Sequence, residues 1–351
     1  MTKNARILVI VLVLAFITFY LVFNNSKSTL LKRYSNFALE DTASITKIFL
    51  ADKRNNKVLL ERIKPGKWTI NKVYEGNNDA ITILLKTIAN INVRMPVSKT
   101  AHNNVIARMS AIAVKVEIYK TAYRVNFFEL IKLFRYNKLA KVFYVGDNTK
   151  DNIGTYMLME GSDQPFVTYI PGLRGFLSTR FVADENVWRS PVVFNFNFRD
   201  IKTVSIDFPE TPDSSFTIDR IAQMQYKLYQ ANKEIPVYDT IKLVKFLSSF
   251  NNIRYEALLN DLDKHKKDSI INSKPYHILK LTDMNNNTIV VKTYHKAPAY
   301  GEYFDDAANE PVFNDKDRLY ALINNDKDFV LIQFFVFEKI LKTVNNFKYP
   351  Y

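Results

Sequence analysis

The sequence predicts the α+β class: a single N-terminal transmembrane helix followed by two tandem, duplicated α+β units with mainly antiparallel sheets. Three observations predict it. An uncharged apolar run opens the chain, short β-rich runs alternate with turn residues and helical patterns, and the plan of the first half recurs in the second.

The opening run is Ile7-Leu8-Val9-Ile10-Val11-Leu12-Val13-Leu14-Ala15-Phe16-Ile17-Thr18-Phe19-Tyr20-Leu21-Val22-Phe23, polar only at Thr18. At about 1.5 Å per residue it reaches roughly 25 Å, the short end of what crosses a hydrocarbon core. Tyr20, Asn24 and Asn25 suit headgroup depth. Lys3 and Arg6 ahead of an apolar run also begin a secretory signal. A cleavable signal, however, ends in small residues, and Tyr20 to Asn25 is bulky. Residues 1–26 therefore read as an uncleaved signal anchor. With no cysteine, lipoprotein processing and a disulfide framework are excluded. Basic residues flank both ends almost equally (Lys3 and Arg6; Lys27, Lys32 and Arg33), so orientation rests on the tendency of N-terminal anchors to leave the short end in the cytoplasm. The expectation is a single-pass protein of the inner (cytoplasmic) membrane with a periplasmic body.

The 351 residues leave room for roughly two domains beyond the anchor. A hydrophobic share of 47% excludes a largely disordered chain, and eight glycines argue against glycine-rich nucleotide loops. The net charge of +14 suits nucleic acid or an anionic membrane surface. For a tethered body the membrane is the more economical partner, so no nucleic acid is expected. The plain alternative is that the charge reflects the host's general composition.

Residues 27–43 read as a linker or first helix, residues 44–190 as the first unit and 191–351 as the second. Strand-like runs occur at Ile45–Leu50, Val58–Glu61 and Trp68–Ile70, separated by a polar turn and a Pro65-Gly66 turn. Asn78 or Asp79 can cap a helix whose Ile81, Leu84, Leu85, Ile88 and Ile91 recur at helical spacing, ended by Pro96. Ala101 to Ala113 suggests a second helix, and Val114–Tyr119, Leu139–Val145, Thr155–Met159 and Phe166–Ile170 further strands. The second half echoes this order. Ile201–Ile206 stands where Ile45–Leu50 stood, Asp239-Thr240-Ile241 starts a helix as Asp79-Ala80-Ile81 does, and Leu319–Ile323 matches Thr155–Met159. The offset stays at about 160 residues, the size of a domain.

One insertion breaks the symmetry. In the second unit Ile278–Leu281 turns through Asp283–Asn287 straight into Ile289–Thr293, whereas the equivalent strands of the first are separated by Lys120–Lys138. On a helical wheel over 121–137, Tyr123, Phe127, Leu130, Ile131 and Phe134 share a face, while Arg124, Lys132, Arg135 and Glu129 fall mainly opposite, with Phe128 at the edge. A cationic, aromatic-rich amphipathic helix at a hairpin tip has the pattern of an interfacial segment, meeting anionic lipid or a membrane protein. Its plain alternative is a helix that caps the unit's own core.

Signals for chemistry are weak. His102, His265, His277 and His295 are not within helical reach of one another, and without cysteine there is no zinc-type spacing. Asp147 to Asn152 resembles the start of a calcium loop but lacks its sixth-position glycine and twelfth-position glutamate, so it reads as a hairpin turn. Glu302, Asp305, Asp306 and Glu310 read as a solvated acidic loop, Lys264 to Lys267 as a solvated helix end, and Trp68 and Trp188 as core aromatics. No nucleophile elbow, P-loop or dinucleotide fingerprint is present. No cofactor, metal site or catalytic residue is therefore expected.

The run ITKIFLADKRNNKVLLERIKPGKW (Ile45–Trp68), then Tyr144–Phe181 with Trp188-Arg189, resembles the bacterial family of domain of unknown function 4340, and its Bacteroidetes branch most. The Gly154–Met157 segment (GTYM) and Ile170–Leu177 (IPG-x-x-G-x-L) are the more specific parts. The resemblance implies a membrane-anchored envelope protein, and relatives in some bacteria accompany auxiliary proteins of gliding-type ABC transporters. It brings no active site to carry over. The leading expectation is a non-enzymatic interaction or accessory protein of the cell envelope, with Pro171, Gly172, Arg174 and Gly175 as a second candidate contact loop. Turn geometry alone can require those glycines. The rivals are an envelope enzyme acting on lipid or glycan, which needs a pocket of carboxylates or a histidine of shifted pKa, and a cytoplasmic-facing binder of nucleic acid or anionic surfaces.

Overall fold

The computed structural model describes residues 13–15, 34–127, 131–298, 304–305 and 310–349. The Ile7–Phe23 run thus lies outside the described residues apart from 13–15, and among the described residues no helix is long and apolar enough to cross a membrane. The chain divides into two compact units, Met1–Ser190 and Pro191–Tyr351.

The first unit is a nine-stranded sheet with every pair antiparallel. Its elements are β1 (Ile45–Ala51), β2 (Lys57–Lys64), β3 (Lys67–Ile70), β4 (Tyr74–Glu75), α1 (Asn78–Asn90), β5 (Asn92–Pro96), α2 (Lys99–Ile112), β6 (Val114–Phe127), β7 (Ile131–Asn148), β8 (Thr155–Met159), β9 (Phe166–Tyr169) and a short α3 (Glu185–Trp188). The strand order is β4-β3-β2-β1-β6-β7-β8-β9-β5. Alternation decides the faces. Ile48, Leu50, Leu60, Ile70, Val116, Ile118, Phe143 and Met157 point into one core with Ile81, Leu84 and Ile88 of α1. The opposite face presents Tyr144, Tyr156 and Leu158 to Val105 and Met109 of α2. Asn77, one residue earlier than the sequence suggests, caps α1 by accepting from the Ala80 N–H. The helix also stops at Asn90 rather than running to Pro96. The residue before a proline is pushed toward extended geometry, and Asn92–Pro96 pairs with β9 as an edge strand.

The second unit repeats that order. Its elements are β10 (Val192–Phe194), β11 (Ile201–Asp207), β12 (Phe216–Ala222), β13 (Gln225–Gln230), β14 (Lys233–Ile235), α4 (Thr240–Ser248), β15 (Ile253–Arg254), β16 (Ala257–Leu258), α5 (Lys264–Ile271), β17 (His277–Asp283), β18 (Thr288–Tyr294), β19 (Phe304–Asp305), β20 (Glu310–Pro311), β21 (Arg318–Ile323), β22 (Asp328–Gln333) and α6 (Phe334–Phe337). The main sheet runs β14-β13-β12-β11-β17-β18-β21-β22-β16, strand for strand the order of the first unit. α4, capped by Asp239, buries Leu243, Phe246 and Leu247 against one face, and Ile270 and Ile271 of α5 pack on the other. Small pairings β10–β15 and β19–β20 stand apart. Asp305 and Glu310 lie in β19 and β20, while Glu302 and Asp306 of the acidic loop lie outside the described residues.

Two further sequence expectations are corrected. The insertion at 121–137 is a β-ribbon, not an amphipathic helix. β6 and β7 stay paired from Val114↔Val145 outward to Phe127↔Ile131. Their apolar residues satisfy both periods: Tyr123, Phe127, Ile131 and Phe134 fit a helix, but Thr121, Tyr123, Val125 and Phe127 also alternate, and all four are residue types that strands favour. A hairpin already paired at its base extends by adding ladder bonds, whereas a helix would need a fresh nucleus. The second correction concerns the linker. Phe37 is only 1% exposed, edge-on to Phe143 at 5.9 Å and Phe166 at 6.1 Å, so the residues from Tyr34 onward belong to the folded unit.

Candidate functional site

The ribbon leaves the sheet where its neighbours end. β1 pairs β6 no further than Lys120, and β8 pairs β7 no further than Phe143, so beyond these points the strand ladder runs between β6 and β7 alone among the described residues. A bulge at Ala140, between Ile118↔Lys141 and Tyr119↔Leu139, marks the root. Along the ribbon, alternation places Lys120, Ala122 and Arg124 with Tyr136 and Lys138 on one face. Tyr119, Thr121, Tyr123 and Val125 share the other with Leu133, Arg135, Asn137 and Leu139. The Arg135 guanidinium donates to the Thr121 hydroxyl at 3.2 Å, as a shared face requires. Phe134 has φ 57°, rare for a bulky residue, and is 70% exposed. Of the insertion residues singled out from sequence, Tyr123, Arg124, Phe134 and Arg135 are on this ribbon, and Phe127, Ile131 and Lys132 fall in its backbone register. Phe128 and Leu130 lie outside the described residues.

At the root, Lys141 acts as a clamp. Its ammonium donates to the Asn36 carbonyl (2.5 Å), the Asn36 side-chain oxygen (2.9 Å) and the Ala38 carbonyl. Burial pushes its pKa down to about 8. A cleft of about 390 Å³ opens beside it, between Tyr34 and Asn36 on one side and Leu139, Met159 and Glu160 on the other. On the opposite face of the root, Glu117 accepts from the Tyr119 hydroxyl at 2.6 Å and pairs with Lys115 at 2.9 Å. Burial alone would raise that carboxyl, but these two donors outweigh it and hold it below its ordinary value. Sequence reasoning missed Phe37 and Lys141. An aromatic in a stretch of mixed polarity and a lysine in a strand carry no local signal of burial.

The candidate loop Pro171–Gly175 sits elsewhere. Thr155, which pairs Asn148 at the end of β7 farthest from the ribbon, also accepts the Leu177 N–H, so loop and ribbon occupy opposite ends of the sheet and form no common surface. Gly172 (φ 81°) and Gly175 (φ 133°) take conformations that other residues avoid, so turn geometry accounts for both. Pro171 and Arg174 are exposed.

The histidines do not converge as a group. His102 donates from Nε2 to the Asp163 carbonyl, and His265 is exposed on α5. His277 is the buried one of the four. It is 3% exposed, its Nδ1 lies 2.8 Å from the Thr293 hydroxyl, Phe208 meets it edge-on, and burial, then His295, pushes its pKa down to about 4. Tyr276 lies between the His277 and His295 rings, and His295 reaches Glu210 at 3.1 Å. Among the described residues no three His, Asp or Glu side chains gather as a metal site. Asp147–Asn152 spans the end of β7 and the turn toward β8, in which Asp151 accepts from the Thr149 hydroxyl at 2.5 Å. A cleft of about 350 Å³ in the second unit is lined by Ile221, Met224, Gln225, Tyr226, Tyr238 and Thr240, with no carboxylate or cation in its wall.

A family model described as a domain of unknown function (DUF4340) matches residues 68–274, more than half of the chain. The chain belongs to the DUF4340 family. No curated protein and no solved structure matches it. In this DUF4340 protein the residues that carried the resemblance build the fold. The Thr155 hydroxyl accepts the Leu177 N–H at 2.6 Å, and the Thr168 hydroxyl donates to the Thr155 carbonyl at 2.9 Å. A Cβ on Gly154 would sit 2.6 Å from Val167 Cγ1, closer than atoms tolerate. Trp68 and Trp188 are both buried.

Proposed function

We propose that this DUF4340 protein is a single-pass, membrane-anchored protein of the cell envelope that works by binding rather than by turnover. In this reading Ile7–Phe23 crosses the inner membrane, both sheet units lie in the periplasm, and the ribbon is the contact surface, with components of a gliding-type ABC transporter as the first partners to test. The observation that carries it is the β6–β7 ribbon itself. The equivalent strands of the second unit, β17 and β18, close through a tight Asp283–Asn287 turn, so the ribbon is dispensable to the sheet plan. It costs the fold exposed rings and unpaired strand edges, which a binding role explains.

The test has two parts. A periplasm-active reporter fused after Tyr351 should be active and a cytoplasm-active one silent; the reverse pattern would overturn the localisation. Crosslinking from the ribbon in native membranes, followed by mass spectrometry, should recover membrane components, and steady conversion of a lipid or glycan by the purified full chain would overturn the binding reading.

A further inference from the structure

Resting on that reading of the ribbon as a contact surface, we propose that its partner is the anionic headgroup layer of the same bilayer that the Ile7–Phe23 run enters. The first argument is placement. Tyr34 and Asn36 lie against Leu139, Ala140 and Lys141, the root of the ribbon, so the chain enters the first unit at the end of the sheet from which the ribbon departs. Lys141 fixes that arrangement by holding Asn36 and Ala38 to β7.

The second argument is reach. Residues 24–33 separate the apolar run from Tyr34 and span at most about 35 Å when fully extended. From Thr121 to Phe127 the ribbon advances roughly 20 Å at about 3.4 Å per residue. A ribbon of that length, starting where the tether arrives, can meet the surface that the tether leaves.

The third argument is charge. Among the described residues no carboxylate pairs with Lys120, Arg124, Arg135 or Lys138, while Glu117 near the root is held by Lys115 and Tyr119. Cations of this kind near an anionic leaflet each favour association about fivefold. They stand on both faces of the ribbon, Arg124 and Lys138 with Tyr136 on one and Arg135 with Tyr123 on the other. A protein groove takes one face of a strand pair. A headgroup layer accepts both, because charged tips meet phosphates while rings settle at the interface.

The absence of native cysteine makes the test direct. Ala122→Cys in the full chain, labelled with an environment-sensitive fluorophore, is reconstituted into vesicles of phosphatidylcholine with or without about 30% phosphatidylglycerol. The label should shift to the blue and be quenched by headgroup-labelled lipid only in the anionic vesicles, with added salt reversing the effect. A label at Lys266→Cys in the second unit reports whether the change is specific to the ribbon. Arg124→Glu combined with Lys138→Glu should cut the lipid-bound fraction about tenfold or more. Identical spectra in neutral and anionic vesicles would overturn the headgroup proposal. If the label is then shielded in native membranes by a crosslinkable protein, the binding reading survives with a protein as the ribbon's partner. If it stays in water there too, both fall.

Discussion

Lys141 and His277 are bases whose surroundings disfavour their charged forms, and each leaves a pH signature. Lys141 titrates near 8 in the folded chain against an ordinary 10.5. The cost of burying its ammonium is therefore fully present below about pH 8 and is relieved as pH rises toward 10.5, where the unfolded chain still holds the proton. Lys141→Met lacks this titration, so urea midpoints should show the natural protein gaining on the variant across that window. The variant should also be cut faster by protease between residues 34 and 39, because Asn36 and Ala38 lose their donor. His277 acts at the other end of the scale. Its folded value near 4 lies below the ordinary 6.5, so the unfolded chain takes up the proton first and stability falls as pH drops from about 6.5 to 4. His277→Gln should flatten that acid limb, and an unchanged limb would show that the ring is not buried as described.

For elements, the ribbon is where pattern and structure part. β1 to β3, the α1 stripe and the Asp283–Asn287 turn were legible because burial alternates or recurs locally: Ile48 and Leu50 in, Lys47 and Phe49 half out. In the ribbon neither face is buried, so nothing selects one period over another, and only the hairpin already formed at its base decides the outcome. Its independence can be measured. Replacing residues 121–137 with Asn-Gly should shorten β6–β7 to the length of β17–β18 and lower stability by no more than about 1 kcal/mol, chiefly through the Thr46–Asn137 hydrogen bond. Phe134→Asn should leave the unfolding midpoint unchanged or slightly raised, since asparagine accepts a positive φ more readily. A large loss in either variant would mean that the ribbon packs on something within the molecule. The candidate site was thus half readable. Its residue types were visible in sequence, whereas its shape, its Lys141 root and its separation from the Pro171–Gly175 loop come from pairings across the sheet.

In the whole molecule, one strand order appears twice, each time with its own core and a helix on either face. Fragments 34–190 and 191–349 should each unfold cooperatively in urea, with Ile88→Ala costing the first and Leu247→Ala the second about 2–5 kcal/mol. A featureless urea curve from either fragment would show that its core is insufficient by itself. The family match, from Trp68 to Lys274, begins well inside the first sheet, which makes β1 a tempting place to start a shortened chain. Phe37 argues otherwise. Its ring fills the space between Phe143 and Phe166, so a chain opening at Ile45 would carry a hole the size of a benzyl group and a stranded lysine beside it. Expression trials for crystallography should open no later than Tyr34.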